Sequence, residues 1–170
     1  IMSPNKALSE VKSGNRVFLG TGCGEPIVLV EALVKKAAKL ADVEIVELLT
    51  KGDAPYIDRK YAETFKVNSF FIGRNVLELY QEGRGDYTPV LMFDIPALLR
   101  SGRLPLDVAL IQVSPPDRFG YCSLGVSVDI TRSGMENAGL VIAQVNRKMP
   151  RTLGDSFVHI DNLDYLVLHD

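Results

Sequence analysis

The sequence predicts an α/β domain, a mainly parallel sheet flanked by helices, and three observations lead there. Short apolar, β-branched runs alternate with helical segments along the chain. The runs Val43–Leu49, Asp107–Val113 and Leu140–Val145 are mostly apolar, as strands covered on both faces are. Three loops of unusual composition, Gly20–Pro26, Ser114–Tyr121 and Asn146–Arg151, each follow such a run directly. Ligands of parallel sheets bind beyond the carboxyl ends of the strands, so these loops are expected to share one edge and face one site.

Each element has its own signal. Ser3-Pro4 reads as an N-cap and first helical residue, with Ala7, Leu8 and Val11 on one face and Gly14 as the stop. Arg16–Gly20 is the first strand. A helix opens with Pro26 in its first turn, where the missing N–H costs nothing, and carries Ile27, Val30, Val34, Ala37, Ala38 and Ala41 at helical spacing. Glu31 and Lys35, four apart, mark its solvated face. Val43–Leu49 is a second strand and Lys66–Ile72 a third. Asn75–Gln81 is a short helix ended by Gly83, and Glu82–Asp86 a turn. Tyr87–Phe93 is expected as a fourth strand, Pro96–Ser101 as a helix stopped by Gly102, and Asp107–Val113 as the fifth strand. Phe119–Val128 fits a small antiparallel excursion, Asp129–Asn137 a helix, and Leu140–Val145 the sixth strand. The chain closes on a strand-like run, Tyr165–Leu168, and is therefore expected to be part of a larger protein.

Composition narrows the function classes. Nineteen basic against twenty-one acidic residues give a net charge of −2, leaving no basic excess for a nucleic-acid footprint. Two cysteines, Cys23 and Cys122, make no disulfide framework, so a reducing cytoplasmic home is expected, or a mitochondrial one in a eukaryote. No apolar run approaches the roughly 20 residues that span a bilayer, so no membrane partner is expected. Two cysteines and two histidines without ligand spacing predict no metal site.

The glycine run Gly20-Thr-Gly-Cys-Gly-Glu-Pro26 is the densest signal. Glycines at a strand end let backbone N–H groups approach a ligand, and a following helix N-terminus adds partial positive charge. The run suits an anion or a developing oxyanion. It is no dinucleotide fingerprint, because Glu25 or Ile27 falls where the third glycine belongs, and no P-loop, because Glu25 replaces the lysine. A tight structural turn remains the alternative. Cys23 is either a nucleophile or a small packing residue. Ser114-Pro-Pro-Asp-Arg-Phe-Gly-Tyr121 is either a rigid turn or a preset wall of a cleft. Gln144, late in an apolar strand, either pairs locally or points into a site. Beyond it, Asn146-Arg-Lys-Met-Pro-Arg-Thr152 sets an amide and three cations at the strand end, either to meet an anion or as a solvated turn.

Together, Gly20–Pro26, Ser114–Asp129 and Gln144–Thr152 resemble the acetyl-CoA hydrolase/transferase family over nearly the whole chain, and the chain is similar to that family's N-terminal domain. The resemblance implies a CoA-transferase-like fold (the NagB/RpiA/CoA-transferase type) in which two similar domains face each other across the active site. It implies CoA transfer between an acyl-CoA and a small carboxylate of acetate, butyrate or 4-hydroxybutyrate type, or acetyl-CoA hydrolysis. Coenzyme A is then a substrate, with no tightly bound cofactor. The implied chemistry is covalent: a glutamate attacks the acyl-CoA and yields an acyl–glutamyl anhydride and CoA thiolate, and the thiolate returns to the glutamyl carbonyl, forming a glutamyl-CoA thioester and releasing the acyl group as its free carboxylate. No glutamate here matches that motif, so no catalytic residue is assigned in residues 1–170, and the nucleophile is expected in a C-terminal domain outside this chain. The substrate-binding residues expected here are Gly22, Cys23, Gly24, Glu25, Pro26, Ser114, Gln144, Asn146, Met149 and Pro150. The partners expected are the acyl-CoA, the carboxylate, the second domain and further copies of the protein in a homo-oligomer. A non-catalytic ligand-binding domain of the same α/β type, such as a sugar-phosphate sensor, is the alternative.

Overall fold

The computed structural model describes residues Ile1–Asp170. Seven strands form one sheet in the order β4-β3-β2-β1-β5-β7-β9, and every pair in it is parallel. They are β1 (Arg16–Leu19), β2 (Val43–Glu47), β3 (Phe65–Ser69), β4 (Gly85–Tyr87), β5 (Leu106–Val113), β7 (Ala138–Val145) and β9 (Tyr165–Leu168). A separate antiparallel ribbon pairs β6 (Tyr121–Ser123) with β8 (Phe157–His159). The expected α/β architecture is present, and of the expected antiparallel excursion Phe119–Val128 only Tyr121–Ser123 is strand, with its partner β8 far along the chain.

Alternate side chains of the sheet feed two cores, as the strand period of two requires. Val17, Leu19, Ile45, Leu110 and Ile142 point to the face covered by α1 (Pro4–Ala7) and α2 (Ile27–Lys35). Phe18, Val46, Ala109, Ile111 and Ala143 point to the other, covered by α4 (Ile95–Arg100) and α5 (Thr131–Glu136). Burying Leu29 and Leu33 of α2 stabilises their face by about 1.5–3 kcal/mol each. Helix α5 sits close on β1 because Gly134 faces Phe18: a Cβ there would fall 2.4 Å from the ring. The short α3 (Leu77–Gln81) contributes Leu79 to the first core.

The strand order reverses between β1 and β5. The chain builds outward from β1 to β4, then returns to the other side of β1. The carboxyl ends flanking such a reversal form a crevice in parallel sheets. Here the glycine run follows β1 and Ser114 follows β5.

Four local expectations are corrected. Pro26 is the N-cap of α2 rather than a residue of its first turn, and its carbonyl accepts the Leu29 and Val30 N–H groups. The helix ends at Lys35 and a 3₁₀ turn, Ala37–Lys39, follows. Its inward stripe is Leu29, Val30, Ala32 and Leu33, whereas Ile27 is half exposed. Tyr87–Phe93 is no strand: β4 ends at Tyr87, and Pro89, lacking an N–H, cannot continue the ladder. Strand β8 had no sequence expectation, since three residues carry too little periodicity.

Candidate functional site

The glycine run leaves β1 and doubles back at once. Gly22 adopts φ +54°, a conformation glycine takes without strain. Both Gly22 and Gly24 lie under Ser127, where an added Cβ would come within 3.0 Å of its side chain. Ser127 belongs to the Ser114–Asp129 stretch, so two sequence motifs meet here. A second tie joins them where the Thr21 hydroxyl donates to an Asp129 carboxylate oxygen.

The expected open anion cradle is corrected by the backbone hydrogen bonds. Gly22 N–H donates to Leu49, Gly24 N–H to Thr21 and Glu25 N–H to Gly22. At the start of α2, Ile27 N–H donates to Glu25 and Val28 N–H to the Gln144 side-chain oxygen, at 3.3 Å. A buried glutamine thus fills the place an anion would take. Within the run only the Cys23 N–H has no acceptor in the chain, and Cys23 is itself exposed. Cys122 is buried in the second core, where burial pushes its thiol up to about 11.

Below the turn lies an amide cluster. Gln112 and Gln144 are register partners on β5 and β7, and Gln144 Nε2 donates to Gln112 Oε1 at 3.4 Å. Asn146 Nδ2 donates to the same oxygen at 2.7 Å, while Gln112 Nε2 donates to the Glu25 carbonyl at 3.1 Å. These side chains fasten the glycine turn to the central strands. Gln112 is the residue the sequence reasoning missed. Its signal was the parallel between Ile111-Gln-Val113 and Ala143-Gln-Val145, each an amide one residue from a strand end.

Glu25 turns inward and is 4% exposed. One carboxylate oxygen accepts the N–H of Lys51 at 2.8 Å and of Gly52 at 2.7 Å. Burial pushes its carboxyl above the ordinary 4.5, against the opposing pull of those two N–H groups. Neighbouring Glu47, 1% exposed, accepts hydroxyls of Ser69 at 2.8 Å, Thr50 at 2.8 Å and Tyr56 at 2.9 Å. Burial, then the adjacent Glu47, drives the Tyr56 phenol well above its ordinary value.

The other expected residues shape the ribbon beside the turn. Ser114 is buried, and its hydroxyl oxygen accepts the Ser123 N–H at 2.9 Å. Met149 is buried against Gly125, where a Cβ would lie 2.1 Å from the sulfur, and Pro150 is exposed. Two of the three cations are engaged. Arg147 pairs with Asp170 at 2.6 Å and Arg151 with Asp117 at 2.7 Å. The structure therefore joins Glu25, Gln144 and Asn146 through Gln112 into one hydrogen-bonded unit, sets Pro26 beside it as the cap of α2, and places Ser114, Met149 and Pro150 in the ribbon and its connecting turn.

Two cavities open at the carboxyl edge of β1–β4. One, of about 460 Å³, lies between Leu48, Leu49, Phe70, Phe71 and the Val90–Met92 segment, with Thr21, Gly22 and Asp129 at its polar side. The other, of about 420 Å³, shares Leu49 and Phe71 with the first and carries Lys51 and Arg74. No cluster of metal-ligating side chains is present, and no helix is long and apolar enough to cross a membrane.

An α/β domain built on an all-parallel seven-stranded sheet, with a cleft at the carboxyl ends of β1–β4, defines the class: the architecture in which ligands bind along one sheet edge. Comparison with known proteins names it further. The family model for the acetyl-CoA hydrolase/transferase N-terminal domain matches residues 1–170, and the chain belongs to that family. It is 44% identical over 167 residues to the 4-hydroxybutyrate coenzyme A transferase of Clostridium kluyveri, covering 98% of this chain and 39% of that protein. It is 41% identical over 155 residues to a succinyl-CoA:acetate/propanoyl-CoA:succinate CoA transferase of Fasciola hepatica, covering 90% of this chain and 32% of that one. The crystal structure of a 4-hydroxybutyrate CoA-transferase from Porphyromonas gingivalis superposes with a TM-score of 0.83 at 30% identity, over 99% of this chain and 39% of that one. The chain spans well under half the length of these relatives.

Proposed function

We propose that this domain forms one wall of a CoA-transferase active site, where CoA passes between an acyl-CoA and a small carboxylate through a glutamyl-CoA thioester. The observation that supports this reading is the apolar cleft at the strand ends, bordered by Thr21 and Gly22 of the glycine turn and by Asp129 of the Ser114–Asp129 stretch. The two glutamates at that edge, Glu25 and Glu47, are buried and committed to internal donors. The attacking carboxylate therefore comes from the remainder of the protein, from a second domain facing this edge. A sugar-phosphate sensor is disfavoured, because the N–H groups at the start of α2 are already bonded.

In this reading Gly22, Cys23 and Gly24 line the reacting centre, with the Cys23 N–H available to the oxyanion of a tetrahedral intermediate. Glu25, Pro26, Gln144 and Asn146 hold the turn at its place. Ser114, Met149 and Pro150 stiffen the adjoining wall. Coenzyme A is a substrate, no cofactor is tightly held, and the protein works as a cytoplasmic homo-oligomer. Whether the intermediate passes to a carboxylate or to water depends on how fully the second domain closes over this edge.

Gly24→Val in the full-length protein tests the assignment. The new side chain meets Ser127 and the Thr21 carbonyl and displaces the turn, while both cores stay intact. CoA transfer should fall by about 100-fold with the circular dichroism spectrum unchanged. A glutamyl-CoA adduct should be trapped by mass spectrometry from the wild type. Undiminished turnover in the folded variant rules the turn out of the site.

A further inference from the structure

We infer that the Ser127 hydroxyl is a catalytic residue of the transfer reaction: together with the Cys23 N–H it donates to the oxyanion that forms when a carboxylate adds to the thioester carbonyl. This inference rests on the CoA-transferase reading above and adds a residue to its site.

Ser127 stands directly over the glycine turn. A Cβ on Gly22 would fall 3.0 Å from its Oγ, and one on Gly24 would fall 3.0 Å from its Cβ and 3.6 Å from its Oγ. The hydroxyl therefore overhangs the two α-carbons on either side of Cys23, whose N–H has no acceptor in the chain. Ser127 is half-buried and its hydroxyl makes no hydrogen bond within the chain. No buried side-chain oxygen or nitrogen of the protein lacks a partner, so this unpartnered oxygen is one that a ligand can reach.

The neighbouring hydroxyls are committed elsewhere. Thr21 donates to Asp129, and the Thr131 hydroxyl donates to the same carboxylate at 3.3 Å. Ser114 accepts the Ser123 N–H at 2.9 Å, and Ser123 and Ser156 meet at 3.2 Å. Asp129 also accepts the N–H groups of Ile130 at 2.6 Å and Thr131 at 3.2 Å, so its carboxylate is occupied by donors other than Ser127. The segment that carries Ser127 is fastened on both sides. Two residues before it the Gly125 carbonyl accepts the Thr152 hydroxyl at 2.9 Å, and two residues after it Asp129 holds Thr21. A donor fixed in advance needs little reorganisation as charge develops, which is the condition under which such a donor stabilises an oxyanion most.

The chemistry calls for a donor that keeps its proton. A carboxylate adds to the carbonyl carbon of the thioester, and the C=O π pair moves onto the oxygen. That pair returns as the C–S bond breaks and CoA leaves as its thiolate. Nucleophile and leaving group are both anions, so no proton changes hands. A serine hydroxyl and a backbone N–H meet this need, since neither titrates near neutral pH.

The test compares Ser127→Ala and Ser127→Cys with the wild type in the full-length protein, with acetyl-CoA as donor and butyrate as acceptor. Ser127→Ala should lose about 100-fold in kcat with KM little changed, as loss of an oxyanion donor does. Ser127→Cys fills the same place with a weak donor and should be nearly as slow. The urea midpoint of Ser127→Ala should equal that of the wild type, because no bond within the chain is removed. The loss should be constant from pH 6 to 9. Wild-type turnover in Ser127→Cys would make the side chain a packing group and overturn the inference. So would a loss confined to KM, one that varies with pH, or one that comes with lowered stability. Undiminished transfer in Ser127→Ala overturns this inference alone, because the glutamyl-CoA adduct still forms. Absence of transfer and of any adduct in the wild type overturns the parent reading, and this one with it.

Discussion

The carboxylate of Glu25 accepts the backbone N–H of Gly52 at 2.7 Å, fastening the loop after β2 to the turn after β1. The same oxygen takes the Lys51 N–H, so one buried side chain sets the spacing of two loops that border the cleft. Two charge-assisted bonds offset part of the cost of burying a carboxylate, and the net effect of that burial is a raised pKa.

This relationship fixes a pH dependence. A carboxyl group whose pKa is higher in the folded state than in the unfolded one binds its proton more tightly when folded. Its contribution is therefore most favourable below the unfolded value and declines as pH rises from about 4.5 through the raised folded value. The slope for one such group reaches at most about 1.4 kcal/mol per pH unit. Glu25→Gln keeps an oxygen for the Lys51 and Gly52 N–H groups and cannot titrate. Urea unfolding of both proteins across pH 4–8 should show the variant gaining on the wild type as pH rises. Parallel stability curves would show that Glu25 titrates alike in both states.

The cysteines separate by location. Cys23 is exposed on the glycine turn, and Cys122 lies in the second core with its thiol pushed up to about 11. The thiolate is the reactive form, so iodoacetamide at pH 7.5 should label Cys23 in the native protein and reach Cys122 only after denaturation. Peptide mass spectrometry reads both sites at once. Native labelling of Cys122 at a comparable rate would mean that the β6–β8 ribbon opens readily. Prior binding of an acyl-CoA should protect Cys23, which the proposed site places at the reacting end.

Much of the architecture was legible because a parallel sheet writes itself as near-continuous apolar runs, and β2, β5 and β7 carry them. The convergence of three strand-end loops was legible for the same reason. What each side chain does there was not. Glu25 sits in a glycine run and reads as facing a ligand, yet its partners Lys51 and Gly52 lie 26 and 27 residues away. Gln144 reads as a candidate ligand residue, yet it caps α2 across 116 residues of chain. Spacing along a sequence reports periodicity within an element, and these contacts join different elements. Tyr87–Phe93 failed from the opposite cause. Its apolar residues line a cleft rather than a core, so apolarity was present without strand pairing.

The amide cluster yields the most demanding prediction. Gln112 Oε1 accepts from Asn146 and Gln144, and Gln112 Nε2 reaches the Glu25 carbonyl, so one side chain links β5, β7 and the glycine turn. Gln112→Leu keeps the volume and removes both functions, leaving the Asn146 and Gln144 amide groups and the Glu25 carbonyl without this partner. Each unpaired buried group costs about 1–3 kcal/mol, and relaxation recovers part of it, so a net loss of about 2–3 kcal/mol is expected. Asn146→Ala alone should cost less, because Asn146 is only partly buried. The two losses should not add, because part of each is the same hydrogen bond. A double-mutant cycle on urea unfolding should return a coupling of about 1 kcal/mol. If the cluster positions the turn, both single variants lower kcat more than they raise KM, since a displaced turn misplaces the reacting centre rather than the substrate's remote contacts. Additive stability losses would dissolve the cluster as a unit, and an unchanged kcat would leave it a purely structural feature of the sheet.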